Sequence, residues 1–326
     1  MARPKIYVTR RIPEAGLDLL RERAQVEINP NDAPLPRAEL LARVADCDAA
    51  LGLLTDRIDA EFFEAAPKLR GYANYAVGYD NIDVAEATRR GIPVSNTPGV
   101  LTDATAECAW ALLFAVARRI VESDRVMRSG RWTGWGPLQL MGAGLTGKTL
   151  GIVGAGRIGA AAALMSRGFR MRVLYTSGSG RTNDVLAREL GAELVPFDTL
   201  LEQADFISIH TPLTEGTRHL FNAAAFARMK RTAILVNTAR GPVIDESALV
   251  EALKSGRIAG AGLDVYEKEP AMAPGLAELD NAVVLPHIGS ATTQSRTDMA
   301  TLAARNLLAM LDGRRPETCL NPELYQ

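Results

Sequence analysis

The chain has 326 residues, too many for one small core and about right for two domains. Hydrophobic residues make up 47% and charged residues 23%, an ordinary balance for a soluble globular protein, and a formal net charge of −1 offers no basic surface to nucleic acid. Three distant cysteines, Cys47, Cys108 and Cys319, lack metal-ligand spacing and suit a reducing cytoplasm; no metal, leader peptide or membrane span is expected.

The first third alternates short apolar runs with helical periodicity. Lys5 to Thr9, Val26 to Ile28, Ala49 to Leu53, Leu69 to Ala73 and Ile92 to Ser95 read as strands. Helices fall between them at Pro13 to Ala24, Arg37 to Val44, Ala60 to Ala65 and Val84 to Arg90. Such alternation predicts a parallel sheet covered on both faces. One long helix follows, Leu101 to Arg128, with Thr102 or Asp103 as N-cap and an apolar stripe through Ala106, Trp110, Leu113 and Val116. Gly130 to Gly144 has no periodicity and reads as an extended arm, whose Trp132 and Trp135 call for a partner surface.

At Lys148 the pattern changes. KTLGIVGAGRIG is an apolar strand, Leu150 to Val153, ending in Gly154, Gly156 and Gly159, with a small-residue helix beyond. In this context the first glycine makes a tight turn, the second lets backbone approach a pyrophosphate, and the third lets the helix lie on the strand. The helix N-terminus adds free N–H groups and a positive dipole. A dinucleotide is therefore expected here, with a plain structural turn as the alternative. Strands at Val173 to Tyr175, Phe206 to His210, Ile234 to Asn237, Gly262 to Val265 and Val283 to Leu285 complete a six-stranded doubly wound sheet, with helices at Asp184 to Leu190 and Ala223 to Met229. The last helix, Thr292 to Leu311, returns to the first domain, so the dinucleotide domain is expected as an insertion with crossings near Pro98 and Gly289.

A nicotinamide cofactor is the default for such a unit, and flavin the alternative. About twenty residues past the glycines, where an acid would accept hydrogen bonds from the adenosine ribose, the segment reads VLYTSGSGR. Ser177, Thr176 and amides near Gly178 can donate to a 2′-phosphate, and Arg181 can pair with it, which favours NADP over NAD. Arg181 as a solvated loop charge is the plainer reading.

Three segments at strand ends carry candidate chemistry. LVNTARG delivers Thr238, Ala239 and Arg240; GLDVYEKEP runs from Asp264 to Glu267 and Glu269; VVLPHIGSAT delivers His287 and Gly289. The other histidines are His210, which ends a strand without a following glycine turn, and His219. A guanidinium can hold a carboxylate and the adjacent carbonyl oxygen of a 2-oxo acid. A histidine can give that oxygen a proton as hydride arrives, and a carboxylate beside it favours the imidazolium and fixes its orientation. A capping histidine with a surface ion pair is the alternative.

These segments, with NYAVGYDNIDV (74–84) and TPGVLTDATAE (97–107), resemble the D-2-hydroxyacid dehydrogenases, most of all the glyoxylate/hydroxypyruvate reductase branch, over nearly the whole chain. The resemblance implies an α/β protein of two Rossmann-like or flavodoxin-like parallel-sheet domains: a substrate domain of residues 1–98 and 290–326, and a dinucleotide-binding domain of residues 99–289. It implies Arg240, Glu269 and His287 as the catalytic set, Glu269 rather than Glu267 because it precedes Pro270. It implies substrate contacts from Leu53, Val77, Gly78 and Arg240, and from Trp135 reaching a partner's site in a homodimer. Cofactor contacts are implied for Thr102, Arg157, Ile158, Ala239 and Asp264, beside Gly154, Gly156, Gly159, Ser177, Gly178, Arg181, Thr238, His287 and Gly289. Where NADP-preferring members carry Ser-Arg, this chain has Ser177-Gly178. The substrate implied is a small 2-oxo or 2-hydroxy acid. The other readings are a phosphoglycerate, D-lactate or formate dehydrogenase, the last opposed by Glu269 in place of Gln, and a nucleotide-sensing corepressor.

Overall fold

The computed structural model describes residues 3–178 and 180–326. The chain forms two compact units, one ending at Leu101 and taken up again over Ala291–Gln326, the other spanning Thr102–Ser290.

The first unit holds β1 (Lys5–Val8), α1 (Glu14–Arg23), β2 (Gln25–Ile28), α2 (Arg37–Val44), β3 (Ala49–Gly52), α3 (Ala60–Ala65), β4 (Tyr72–Asn74), α4 (Val84–Arg89), β5 (Val94–Ser95) and, from the far end of the chain, α12 (Thr293–Leu311). Its five strands are all parallel, in the order β2-β1-β3-β4-β5. The order reverses between β1 and β3, where such sheets open a crevice at their carboxyl ends. Buried Asp56 spans that point, accepting from the Thr9 hydroxyl at 2.5 Å and the Leu53 N–H at 2.8 Å. The predicted strand Leu69 to Ala73 begins later, at Tyr72, because the Leu69 N–H closes a turn onto the Ala66 carbonyl at 3.0 Å. α12 lies against α1 so closely that a Cβ on Gly16 would stand 2.6 Å from the Ala300 carbonyl oxygen.

The second unit holds α5 (Thr102–Ala117), α6 (Ile120–Arg128), β6 (Thr149–Val153), α7 (Arg157–Met165), β7 (Arg172–Thr176), α8 (Asp184–Leu190), β8 (Glu193–Leu194), α9 (Phe197–Gln203), β9 (Phe206–Ile209), α10 (Ala223–Arg228), β10 (Ile234–Asn237), α11 (Glu246–Lys254), β11 (Gly260–Leu263) and β12 (Ala282–Val284). The sheet is parallel with seven strands rather than the predicted six, ordered β12-β11-β10-β9-β6-β7-β8. The extra strand, β8, is two residues at the sheet edge, too short to show a period. Two helices also went unread, α9 and α11; α11 is capped by Asp245, whose side chain accepts from the Ala248 N–H. β11 ends at Leu263, so Asp264 and Val265, predicted as strand, belong to the loop.

The single helix predicted over Leu101 to Arg128 is two. Arg119 takes a left-handed φ of 52° and separates α5 from α6. The Ala143 N–H donates to the Ala117 carbonyl at 2.7 Å, so the returning arm takes the acceptor a continuing helix would use. Gly142 is required beside it, since a Cβ there would meet that oxygen at 2.2 Å. Thr102 and Asp103 sit in the first turn of α5 rather than ahead of it. Ala106, Trp110 and Leu113 of the predicted stripe are buried, and the Trp110 indole donates to the Ala162 carbonyl of α7 at 2.9 Å.

The α1–α12 contact gives a stability prediction. A Gly16→Val side chain has to displace the Ala300 backbone, so it should cost about 1–3 kcal/mol or more in denaturant unfolding; a variant within a few tenths of wild type would show that the helices separate freely.

Candidate active site

The glycine turn sits at the strand-order reversal of the larger sheet, between β6 and β9, where ligands bind in doubly wound folds. Each glycine has a separate reason. Gly154 has a φ of 95°, and a Cβ there would meet the His210 carbonyl carbon at 2.9 Å. A Cβ on Gly159 would stand 2.0 Å from the Gly154 oxygen, so α7 rests directly on the turn. Gly156, by contrast, faces open space and immediately precedes α7, whose first turn carries no acid. Arg157 is exposed and Ile158 half-buried there. At the carboxyl ends of β9 and β10, two buried polar atoms, His210 Nδ1 and Thr238 Oγ1, have no hydrogen-bond partner. Open backbone at a helix start, with orphaned polar atoms beside it, fits a bound dinucleotide.

Past β7, Asn183 caps α8 and also donates to the Ala155 carbonyl at 3.1 Å, tying the adenosine-side loop to the glycine turn. Ser177, Gly178 and Arg181 lie on that loop; Ser179, within the segment read for phosphate recognition, lies outside the described residues, as do Met1 and Ala2 at the start of the N-terminal segment.

The catalytic candidates come together at the ends of β10, β11 and β12. Asn237, the last residue of β10, bends the next loop through its side chain: it accepts from the Ala239 N–H at 3.0 Å and donates to the Arg240 carbonyl at 2.9 Å. Arg240 donates to the Ala239 carbonyl and stands close enough to Glu269 to help hold that carboxyl down. Gly241 follows because nothing larger fits; a Cβ there would lie 1.9 Å from the Tyr266 carbonyl carbon. The Arg240 and Glu269 loops are thereby pressed together.

Glu269 Oε2 lies 2.9 Å from His287 Nδ1, and Glu269 Oε1 accepts from the Tyr266 N–H at 3.1 Å. Glu267 turns elsewhere, its Oε1 2.9 Å from His219 Nε2. His287 has a left-handed φ of 54°. Buried Asp264 holds this backbone, accepting from the Ile288 N–H at 2.6 Å and the Gly289 N–H at 2.7 Å. Burial pushes the Asp264 carboxyl up and those two amides pull it partly back. Burial also raises Glu269, but the hydrogen bond and charge of His287, the Tyr266 amide and Arg240 outweigh it, so this carboxyl lies below the ordinary glutamate value. His210 is a different kind of group: burial pushes its imidazole down to about 4, and its Nε2 lies 2.8 Å from the Ser208 hydroxyl. With Nδ1 on Glu269, the second hydrogen-bonding position of the His287 ring is Nε2.

Leu53, Val77 and Gly78 sit in the five-stranded unit, where three asparagines shape their loops. Asn74 donates to the Gly78 carbonyl at 2.9 Å, Asn96 to the Val77 carbonyl at 2.7 Å, and Asn81 to the Leu53 carbonyl at 3.2 Å. Among the described residues no acceptor takes the Val77 or Gly78 N–H, which leaves both amides for an anion. Asn74, Asn81, Asn96 and Asn237 went unread as site residues, although Asn74, Asn96 and Asn237 are polar at or just past an apolar strand. Thr102 opens α5. Trp132, Trp135, Leu138 and Met141 are exposed on the arm, Trp135 at 84%.

A family model, D-isomer specific 2-hydroxyacid dehydrogenase, NAD binding domain, matches residues 110–289. The glyoxylate reductase of Thermococcus kodakarensis is 53% identical, covering 99% of this chain and 98% of that protein, and that of Korarchaeum cryptofilum is 52% identical over the same shares. The chain belongs to the D-isomer specific 2-hydroxyacid dehydrogenases. It is a nicotinamide-dependent dehydrogenase with two parallel-sheet α/β domains. Among solved structures, a protein of Thermus thermophilus superposes with a TM-score of 0.91 at 47% identity, covering 97% of this chain and 99% of that one. An NADPH-dependent glyoxylate/hydroxypyruvate reductase of Sinorhizobium meliloti, solved with NADP and malonate, gives 0.87 at 32% identity, covering 98% and 97%. No described helix is long and apolar enough to cross a membrane.

The Glu269 environment predicts a pH dependence of stability. A carboxyl held below its unfolded value near 4.5 contributes stability above that pH and loses it as pH falls through the lower, folded value. The Tm deficit of Glu269→Gln against wild type should be greatest near neutral pH and shrink in acid. A deficit unchanged by acid would contradict this account.

Proposed function

We propose that this enzyme reduces glyoxylate and hydroxypyruvate to glycolate and D-glycerate, with residues 1–98 and 290–326 as the substrate domain and 99–289 as the cofactor domain. The observation that carries the reading is the His287–Glu269 pair at 2.9 Å beside Arg240, in a chain 52% and 53% identical to glyoxylate reductases. Those names favour it over the phosphoglycerate, D-lactate and corepressor readings.

The bound nicotinamide supplies hydride to the carbonyl carbon. Gly154, Gly156, Arg157, Ile158 and Gly159 would hold its pyrophosphate, and Thr102, Thr238, Ala239, Asp264 and Gly289 its nicotinamide side. The Arg240 guanidinium takes the substrate carboxylate and carbonyl oxygen, with the Val77 and Gly78 amides on the carboxylate and Leu53 nearby. The guanidinium polarises the carbonyl, and His287 Nε2 delivers a proton to the oxygen as it gains charge. Glu269 keeps the ring oriented through Nδ1. We further infer a preference for NADPH, through Ser177, Gly178 and Arg181; a homodimer in which the exposed Trp135 reaches the partner's site; and a cytoplasmic setting.

An assay following NADPH or NADH oxidation with glyoxylate, hydroxypyruvate and pyruvate tests the reading. Turnover of the first two is expected, and no turnover of any would favour the corepressor reading. His287→Ala should lose about 10²–10⁴-fold in kcat, and near-normal turnover would remove its role. Arg181→Ala should raise the KM for NADPH and leave that for NADH alone; equal effects on both would argue for a solvated loop charge.

A further inference from the structure

We propose that Glu246 is a positioning residue whose carboxylate clasps both ends of the turn that carries Glu269, and so sets the Glu269–His287 pair. The inference rests on the proton-donor role given to His287 above.

Glu246 is the first residue of α11 and is only 5% exposed, unusual for a carboxylate that pairs with no cation among the described residues. Its two oxygens are used on one neighbour. Oε2 accepts from the Glu267 N–H at 2.8 Å, and Oε1 accepts from the Ala273 N–H at 2.7 Å. Residues 267 and 273 are the two ends of the segment bearing Glu269 and Pro270. Glu267 returns the contact, its Oε2 accepting from the Glu246 N–H at 3.3 Å while its Oε1 meets His219. The N-terminus of α11 makes the site favourable for the negative charge of Glu246.

The clasp has mechanical consequence because residues 268–272 of the turn are exposed and it is packed only at its first end. Gly241 leaves no space between the Arg240 loop and the Tyr266–Glu267 backbone. Inside the turn, the Tyr266 N–H fixes one Glu269 oxygen and so aims the other at His287. Without Glu246, two half-buried amides lose their acceptor, and the ends of the turn are no longer tied to the start of α11. Glu269 moves with the turn. The charged groups facing the pair are Arg240, toward Glu269, and Asp264, toward His287; Glu267 and His219 face each other. None of these bonds both ends of the turn.

The chain has three histidines, so their ring signals can be followed individually by NMR in the intact protein, with His287→Asn assigning the site. In Glu246→Ala the His287 ring signals should shift, because the carboxylate that meets its Nδ1 is less well placed. Turnover of the 2-oxo acid should fall about tenfold with the KM for NADPH unchanged, and in a Glu269→Gln background adding Glu246→Ala should cost nothing further in turnover. Glu246→Gln keeps the volume and one acceptor oxygen and should give the same pattern more weakly; it carries the test if the alanine variant does not fold. Asp245→Ala, which removes only the cap of the same helix, should lower Tm and leave the His287 ring signals where they are. Unmoved His287 ring signals in the Glu246 variants, or a Glu246→Ala loss that persists in full beside Glu269→Gln, overturn the proposal. If wild type turns over no 2-oxo acid, the functional reading fails, and the His287 ring signals still decide the role of Glu246.

Discussion

The contact on which the site depends is the one between His287 Nδ1 and Glu269 Oε2, which joins the loop after β12 to the loop after β11. It needs His287 in a left-handed backbone conformation, a state disfavoured by roughly 1–2 kcal/mol for a residue with a side chain. Asp264 offsets this by accepting the next two amides, and its burial among backbone donors makes it a scaffold for the turn as well as a candidate cofactor contact. The same logic runs through the Glu269 side, where Tyr266 and Glu246 hold the turn from within and from below the helix start.

Asparagine does comparable work in both units. At the end of β4 and beyond, Asn74, Asn81 and Asn96 bind carbonyl oxygens of Gly78, Leu53 and Val77. At the end of β10, Asn237 binds the Arg240 carbonyl. A carboxamide suits this because it offers donor and acceptor without charge. It satisfies the oxygen of a loop peptide without adding a charge to the loop.

The glycine turn supports the geometry from another direction. Gly154 and Gly159 are compressed against His210 and against each other, so β6, β9 and α7 meet with no side chain between them. Gly156 alone stays open, at the start of a nine-residue helix. Two parallel sheets with reversed strand order at β1/β3 and β6/β9 therefore present their loops at carboxyl ends, where Leu53 in one unit and the glycine turn in the other are found.

Much of this was legible in the chain. Apolar runs alternating with helical periods gave the parallel sheets, and G-x-G-x-x-G after an apolar strand gave the dinucleotide turn, because steric demands at Gly154 and Gly159 leave glycine as the residue that fits. The residues Arg240, Glu269 and His287 were visible as reactive types just past strands. What only the tertiary structure decided is how they meet. Local sequence cannot say that an arm residue takes the Ala117 carbonyl and breaks a helix at Arg119, nor that the two-residue β8 finds an edge to pair with, since both depend on partners far along the chain. It offers two glutamates near one proline, Glu267 and Glu269, and three histidines, His210, His219 and His287. Which pairs with which is set by the positions of β11, β12 and the start of α11, and by the lack of room at Gly241. Glu246, on a helix the periodicity does not reveal, shows its role only when its two oxygens are seen on amides more than twenty residues away.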